Sequence, residues 1–193
     1  DALAGTDYDG LPILSAASPF KSGGRGGPEH FTDIPAGEIA LRHISDLYVF
    51  PNSIRALCIH GALLHNWLER SAAQFLQLTP GRVDQPLLDP SAPSYNFDSI
   101  DGVTYEIDVE APPRFNPHGD LLDPKATRIL NLCLAGKPVE DADKFVIVTN
   151  NFRASGGGGF AGIGESLVIN APSTLNSEVI RNYIASTGLV APR

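Results

Sequence analysis

Apolar and polar positions change rhythm several times along the 193-residue chain. Residues 11–15 form a short apolar run. In 53–60 the side chains alternate, with Ile54, Ala56 and Cys58 on one side and Leu57 and Ile59 on the other, so both stretches predict strands. From Gly61 the rhythm becomes helical: Leu64, Trp67, Leu68, Ser71, Ala72, Phe75 and Leu76 recur at steps of three and four until Pro80-Gly81 stops them. That face predicts a helix packed on a sheet. Residues 104–109, 129–134, 145–149 and 166–171 read as further strands, the second ending in the turn Ala135-Gly136-Lys137-Pro138. A last helix over 177–186 puts Val179, Ile180, Tyr183 and Ile184 on one side, with Asn176 as its N-cap.

Several of these strands follow one another with no helix between them, which is not the regular alternation that a doubly wound parallel sheet requires. The class predicted is α+β, a mixed β-sheet packed with helices. The 19 Gly and 16 Pro gather in four loops, 19–37, 79–94, 111–124 and 155–164, rather than spreading as a linker would. At 42% hydrophobic and 19% charged, the chain has apolar material for one sizeable core, and a single domain over 1–193 is expected. Both ends look cut from a longer polypeptide.

Charge narrows the partners. A net charge of −8 disfavours nucleic-acid polymers and anionic membrane surfaces, both of which would be repelled, but leaves room for a small anion at one local positive point. No run of 18 apolar residues and no basic-then-apolar leader is present in the residues given, so the chain reads as soluble, either cytosolic or already trimmed. The two cysteines, Cys58 and Cys133, each lie in an apolar stretch and read as buried thiols, with a disulfide as the other reading.

Self-contained catalysis finds little support. A two-metal phosphoesterase needs His, Asp and Asn ligands in tight local groups. The five histidines, His30, His43, His60, His65 and His118, stand apart, and none has a partner at zinc-ligand spacing. The 162–166 segment does not match a Gly-x-Ser-x-Gly nucleophile elbow.

Two glycine-rich segments are more informative. In 22–28 a single guanidinium, Arg25, stands among residues with little side chain, so backbone N–H groups and a fork of donors can approach an anion together. In 155–160 four glycines follow the polar pair Asn150-Asn151 and Phe152. Neither segment is a Walker loop or a dinucleotide fingerprint. Phe50 and Phe152 both stand at loop edges; each taken alone reads as a core ring, whereas two such rings facing each other make a slot for a flat heterocycle, each stacking contact contributing about 1–3 kcal/mol.

Segments 11–21 (LPILSAASPFK), 23–28 (GGRGGP), 32–37 (TDIPAG), 46–52 (DLYVFPN), 67–71 (WLERS) and 149–160 (TNNFRASGGGGF) occur in an order that resembles the C-terminal domain of the 5′-nucleotidase superfamily, and within it the 2′,3′-cyclic-nucleotide 2′-phosphodiesterase/3′-nucleotidase branch. The resemblance implies a substrate-binding domain with no catalytic or metal-binding residue of its own, following an N-terminal metallophosphoesterase domain that holds two divalent metals. It implies periplasmic export and a nucleotide substrate, a purine or pyrimidine 2′,3′-cyclic or 3′-nucleotide. Carried over residue by residue, it makes Phe50 and Phe152 the rings that clamp the base, Asn52 the contact to the base edge, Arg25 a contact to phosphate or ribose, and Gly157 and Gly158 part of the binding loop. The cyclic-nucleotide branch often has tyrosine at both clamp positions, where this chain has phenylalanine. The 5′-nucleotidase branch has an Asp at the position of Gly158, and its absence suits a substrate whose 2′ and 3′ oxygens carry phosphate. The same domain of a 5′-nucleotidase or UDP-sugar hydrolase, and a free-standing nucleotide- or sugar-binding module, are the alternatives.

Overall fold

A computed structural model describes residues 2–19, 21 and 29–191. Its element order is β1 (Ile13–Ala17), α1 (Leu41–Leu47), β2 (Ile54–His60), α2 (Gly61–Ser71), β3 (Ser99–Asp101), β4 (Val103–Ile107), β5 (Ile129–Leu134), β6 (Lys137–Pro138), β7 (Lys144–Asn150), α3 (Asn151–Ala154), β8 (Val168–Asn170) and α4 (Asn176–Thr187). The larger sheet has the order β3-β1-β7-β2-β8, with β1 parallel to β7 and the other pairs antiparallel. β4, β5 and β6 form a second, antiparallel sheet. This mixed architecture with helices is the α+β class that the pattern predicts.

The core forms because alternate side chains of the strands meet the apolar stripe of α2. Leu57 and Ile59 of β2, Phe145 and Ile147 of β7 and Leu14 of β1 are buried with Leu63, Leu64, Trp67 and Leu68 of α2. The start of α2 is well satisfied. His60 Nδ1 accepts from Leu63 N–H at 3.3 Å, and the N–H groups of Gly61 and Ala62 donate to Asp143 O and Asp141 O. Glycine is required there, since a Cβ on Gly61 would collide with the Glu140 carbonyl.

Several boundaries differ from the expected ones. The α2 helix ends at Ser71 and tightens into a 3₁₀ turn, Ala72–Gln74, so Phe75 and Leu76 leave it; Phe75 pairs with Leu88 instead. Strand β8 starts at Val168 because Glu165–Leu167 form another 3₁₀ turn. Asn176 is the first residue of α4, not its cap. Leu175 takes the extended cap conformation, and the Glu178 carboxylate returns to its N–H at 2.8 Å. Cys58 and Cys133 are both free thiols and half-buried.

Candidate functional site

Three strands of the large sheet reach the same end of it. In register, Ser15 of β1 lies beside Val148 of β7, and Asn150 of β7 lies opposite Ile54 of β2. The chain therefore leaves β1 and β7 and enters β2 at one edge. The C-terminal end of α1 and the N-terminal end of α4 come to that edge as well: Asn176 N–H donates to Asn52 O at 2.9 Å and Ile54 N–H to Thr174 O at 3.1 Å. A cavity of about 560 Å³ opens there, lined among others by Phe50, Phe152, Tyr95, Tyr48, Asn52 and Asn176.

Phe50 and Phe152, a hundred residues apart in sequence, thus share one cavity, and both keep nearly half their surface exposed, 48% and 44%. Large rings that keep this much exposure beside a concave opening differ from rings packed in the core. Asn52 lines the same cavity and donates from Nδ2 to the Tyr48 hydroxyl at 3.1 Å. Arg25 lies outside the described residues.

Gly157 and Gly158 do not line the cavity; they sit behind it. A Cβ on Gly157 would come within 2.6 Å of the Phe152 ring, so the bare backbone lets that ring lie against the loop. At Gly158, whose φ is +84°, a Cβ would run into Arg153 Nη1 and Asn96 Oδ1. With this backbone, a carboxylate at 158 would enter the buried network rather than meet a ligand in the cavity. Gly157 thus packs against the Phe152 ring and Gly158 against Arg153 and Asn96, and neither is among the residues that line the cavity.

That network is built on Arg153, which is 2% exposed. Its Nε and Nη2 donate to Asp98 Oδ2 and Oδ1 at 2.7 and 3.0 Å, and Nη2 also donates to Tyr95 O at 2.8 Å. Nη1 donates to Gly157 O. The guanidinium lies over the Phe160 ring, 3.8 Å from its centroid. Asp98 also accepts from Trp67 Nε1 at 2.7 Å, which ties the assembly to α2. One planar cation therefore fixes the turn carrying Tyr95, the helix carrying Phe152 and the glycine loop behind it. Arg70 bolts the same loop from the other side, donating to Gly158 O at 2.8 Å and Pro117 O at 3.0 Å. Burial, and then the neighbouring Arg153 charge, push its guanidinium down to about 10, still protonated at neutral pH.

Tyr95, Tyr48, Arg153 and Asn176 escape the sequence reading. Tyr95 stands edge-on to Phe152, with centroids 6.4 Å apart, but lies beyond a Pro-rich loop with no periodic signal. Tyr48 stands two positions before Phe50 in the same motif, and that proximity is the one cue the sequence offers.

Asn150 caps α3, its Oδ1 accepting from Arg153 N–H at 2.9 Å. Asn150→Ala is expected to cost about 1 kcal/mol in chemical denaturation, the ordinary worth of an N-cap, and to loosen the helix that presents Phe152. A change well inside about 0.5 kcal/mol, the scatter of an exposed substitution, would contradict that role.

Among the described residues no group of three or more His, Cys, Asp or Glu could hold a metal ion, and no helix is long and apolar enough to cross a membrane.

Comparison with known proteins places this geometry. The chain is 44% identical over 183 residues to a 2′,3′-cyclic-nucleotide 2′-phosphodiesterase/3′-nucleotidase from Yersinia enterocolitica, covering 93% of this chain and 28% of that protein. It is 43% identical over 189 residues to the trifunctional nucleotide phosphoesterase protein YfkN of Bacillus subtilis, covering 97% of this chain and 13% of that protein. The chain thus spans between about an eighth and a little over a quarter of these curated relatives. In fold it resembles a 5′-nucleotidase precursor from Thermus thermophilus, with a TM-score of 0.68 at 16% identity over 93% of this chain and 30% of that one. Residues 19–165 match the family model described as 5′-nucleotidase, C-terminal domain, and the chain belongs to that family.

Proposed function

We propose that this chain is the nucleotide-binding domain of a metal-dependent phosphoric ester hydrolase acting on 2′,3′-cyclic or 3′-nucleotides. In this reading Phe50 and Phe152 clamp the base, Asn52 contacts its edge, Arg25 meets phosphate or ribose, and Gly157 and Gly158 seat the loop that carries the second ring. The chemistry is performed by an N-terminal metallophosphoesterase domain in the same polypeptide, in the periplasm. In this reading the two divalent metals belong to that domain. They would polarise the phosphoryl oxygen and activate water. This chain's own residues bind and orient the nucleotide and set its distance from that centre.

The observation that carries the reading is the cavity with two half-exposed phenylalanine rings and a cluster of amide side chains at one sheet edge. It has the size, the apolar walls and the few polar groups expected of a small-molecule site. The names of the relatives supply the substrate class.

The partition between domains is tested by turnover. The 193-residue chain with added divalent metal is expected to bind nucleotides without hydrolysing them, while the full-length protein hydrolyses 2′,3′-cyclic nucleotides. Metal-dependent turnover by the chain alone would place catalytic residues within it and overturn the proposal.

A further inference from the structure

The Tyr48 hydroxyl is ringed by three side-chain amides. Asn52 Nδ2 lies at 3.1 Å, Asn176 Nδ2 at 3.3 Å and Asn150 Nδ2 at 3.4 Å, and all four residues line the cavity that holds Phe50 and Phe152. A phenol oxygen accepts about two hydrogen bonds and donates one, so three amide nitrogens cannot all donate to it. Asn150 has its polarity fixed, because its Oδ1 already accepts from Arg153 N–H at 2.9 Å. The choice falls on Asn52 and Asn176, whose amide oxygen and nitrogen exchange places by a half-turn. Asn176 Oδ1 is buried and has no hydrogen-bond partner among the described residues, so the half-turn that carries it to the Tyr48 proton gives it one.

We infer that Tyr48 and Asn176 form a relay that sets which end of the Asn52 amide faces the base, so that one site reads amino-bearing and oxo-bearing bases alike. When Asn176 accepts the Tyr48 proton, Asn52 donates to Tyr48 and turns its Oδ1 to the cavity, an acceptor for an exocyclic amino group. When Asn176 donates, Tyr48 gives its proton to Asn52 Oδ1, and Asn52 offers Nδ2 to an exocyclic oxo group. No covalent bond changes; two amides and one hydroxyl reorient together. Asn176 acts as a positioning residue here, and it lies beyond the 19–165 segment that matches the family. Its place is fixed by the backbone bond from Asn176 N–H to Asn52 O. The relay rests on the proposal above that Asn52 contacts the base edge.

Asn176→Asp locks the relay, because an ionised carboxylate only accepts. The probes are nucleosides matched on one ring, adenosine against inosine and cytidine against uridine, titrated into the 193-residue chain at neutral pH by NMR. The wild-type chain is expected to bind the members of each pair within about threefold, and Asn176→Asp to shift both ratios about fivefold toward the amino member, the fold-change of one neutral hydrogen bond. General repulsion by the added carboxylate cancels from the ratio. In a Tyr48→Phe background the same substitution should leave the ratios where they were. Ratios unmoved by Asn176→Asp, or moved equally without the Tyr48 hydroxyl, overturn the relay. The wild-type chain gives a second reading that needs no variant: the Asn52 side-chain amide signals should shift differently with adenosine and with inosine, and identical shifts contradict it. If Phe50→Ala and Phe152→Ala weaken no nucleoside, the base site itself fails and the relay with it. If they weaken every nucleoside while the ratios stay fixed, the relay alone is wrong.

Discussion

Arg153→Ala is expected to destabilise the fold by about 3–5 kcal/mol, the cost of leaving one partner of a buried ion pair without the other. The substitution strands Asp98, of which only a few per cent is exposed, with Trp67 Nε1 as its remaining strong donor. It also releases the carbonyls of Tyr95 and Gly157 and removes the cation from the Phe160 face. For a chain of this length the thermal midpoint should fall by roughly 10 °C or more. An ion pair of this kind is not by itself a large source of stability, so replacing both partners, Arg153→Met with Asp98→Leu, should recover part of the loss. Nucleoside binding should not recover with it, because the methionine cannot hold the Tyr95 turn and the glycine loop to α3. A double variant that regained both stability and binding would show that the guanidinium has no part in arranging the cavity. Equilibrium denaturation together with a nucleoside titration decides the matter.

The largest effects on binding are expected at the two rings. Each of Phe50→Ala and Phe152→Ala should weaken nucleotide binding by about 1–3 kcal/mol, read as a raised Michaelis constant in the full-length protein or a raised dissociation constant in this chain. Folding should be nearly spared, because both rings are close to half exposed. The double replacement should cost less than the sum, since a base released on one face is free to tilt away from the other. Phe→Tyr at either position should hold affinity within a few-fold, as the stacking face is kept. Single variants that lower the melting temperature strongly while leaving the binding constants unchanged would assign the rings to packing.

The expected outcomes divide along a line that explains what the sequence could show. Long-period features were legible: the apolar stripe of α2 follows from its helical period, β2 from alternation, β5 and β7 from short apolar runs, and the α+β class from strands that succeed one another without a helix between them. Short elements were not. The α1 helix buries one residue, Ile44, and leaves Leu41 69% exposed, so no periodic stripe marks it. Strand β3 has three residues and exists because β1 offers it a pairing edge. The end of α2 was misplaced because Phe75 and Leu76 keep helical spacing in sequence, while a 3₁₀ turn and the Phe75–Leu88 bridge take them elsewhere.

At the site the same distinction holds. Loop-edge aromatics and a motif resemblance located Phe50, Asn52 and Phe152, and the fold brings them to one cavity. Nothing local announces that Arg153 will reach Asp98, 55 positions away, or that Asn176 will meet Tyr48 across 128 positions. Those contacts come from sheet order, with β7 placed between β1 and β2 and the 174–176 segment bonded to the 52–54 segment. Gly157 and Gly158 were visible as glycines, yet what they avoid, the Phe152 ring and the Arg153 guanidinium, appears once the backbone is closed.

The central claim is that a nucleotide base lies between Phe50 and Phe152. The measurement that meets it most directly is a set of intermolecular NOEs between the base protons of adenosine and the chain, recorded with the phenylalanine rings selectively labelled. Cross-peaks from the H2 and H8 protons to both the Phe50 and the Phe152 rings, lost for either ring when it is replaced by alanine, are the predicted result. Saturable adenosine binding whose base protons contact neither ring would contradict it.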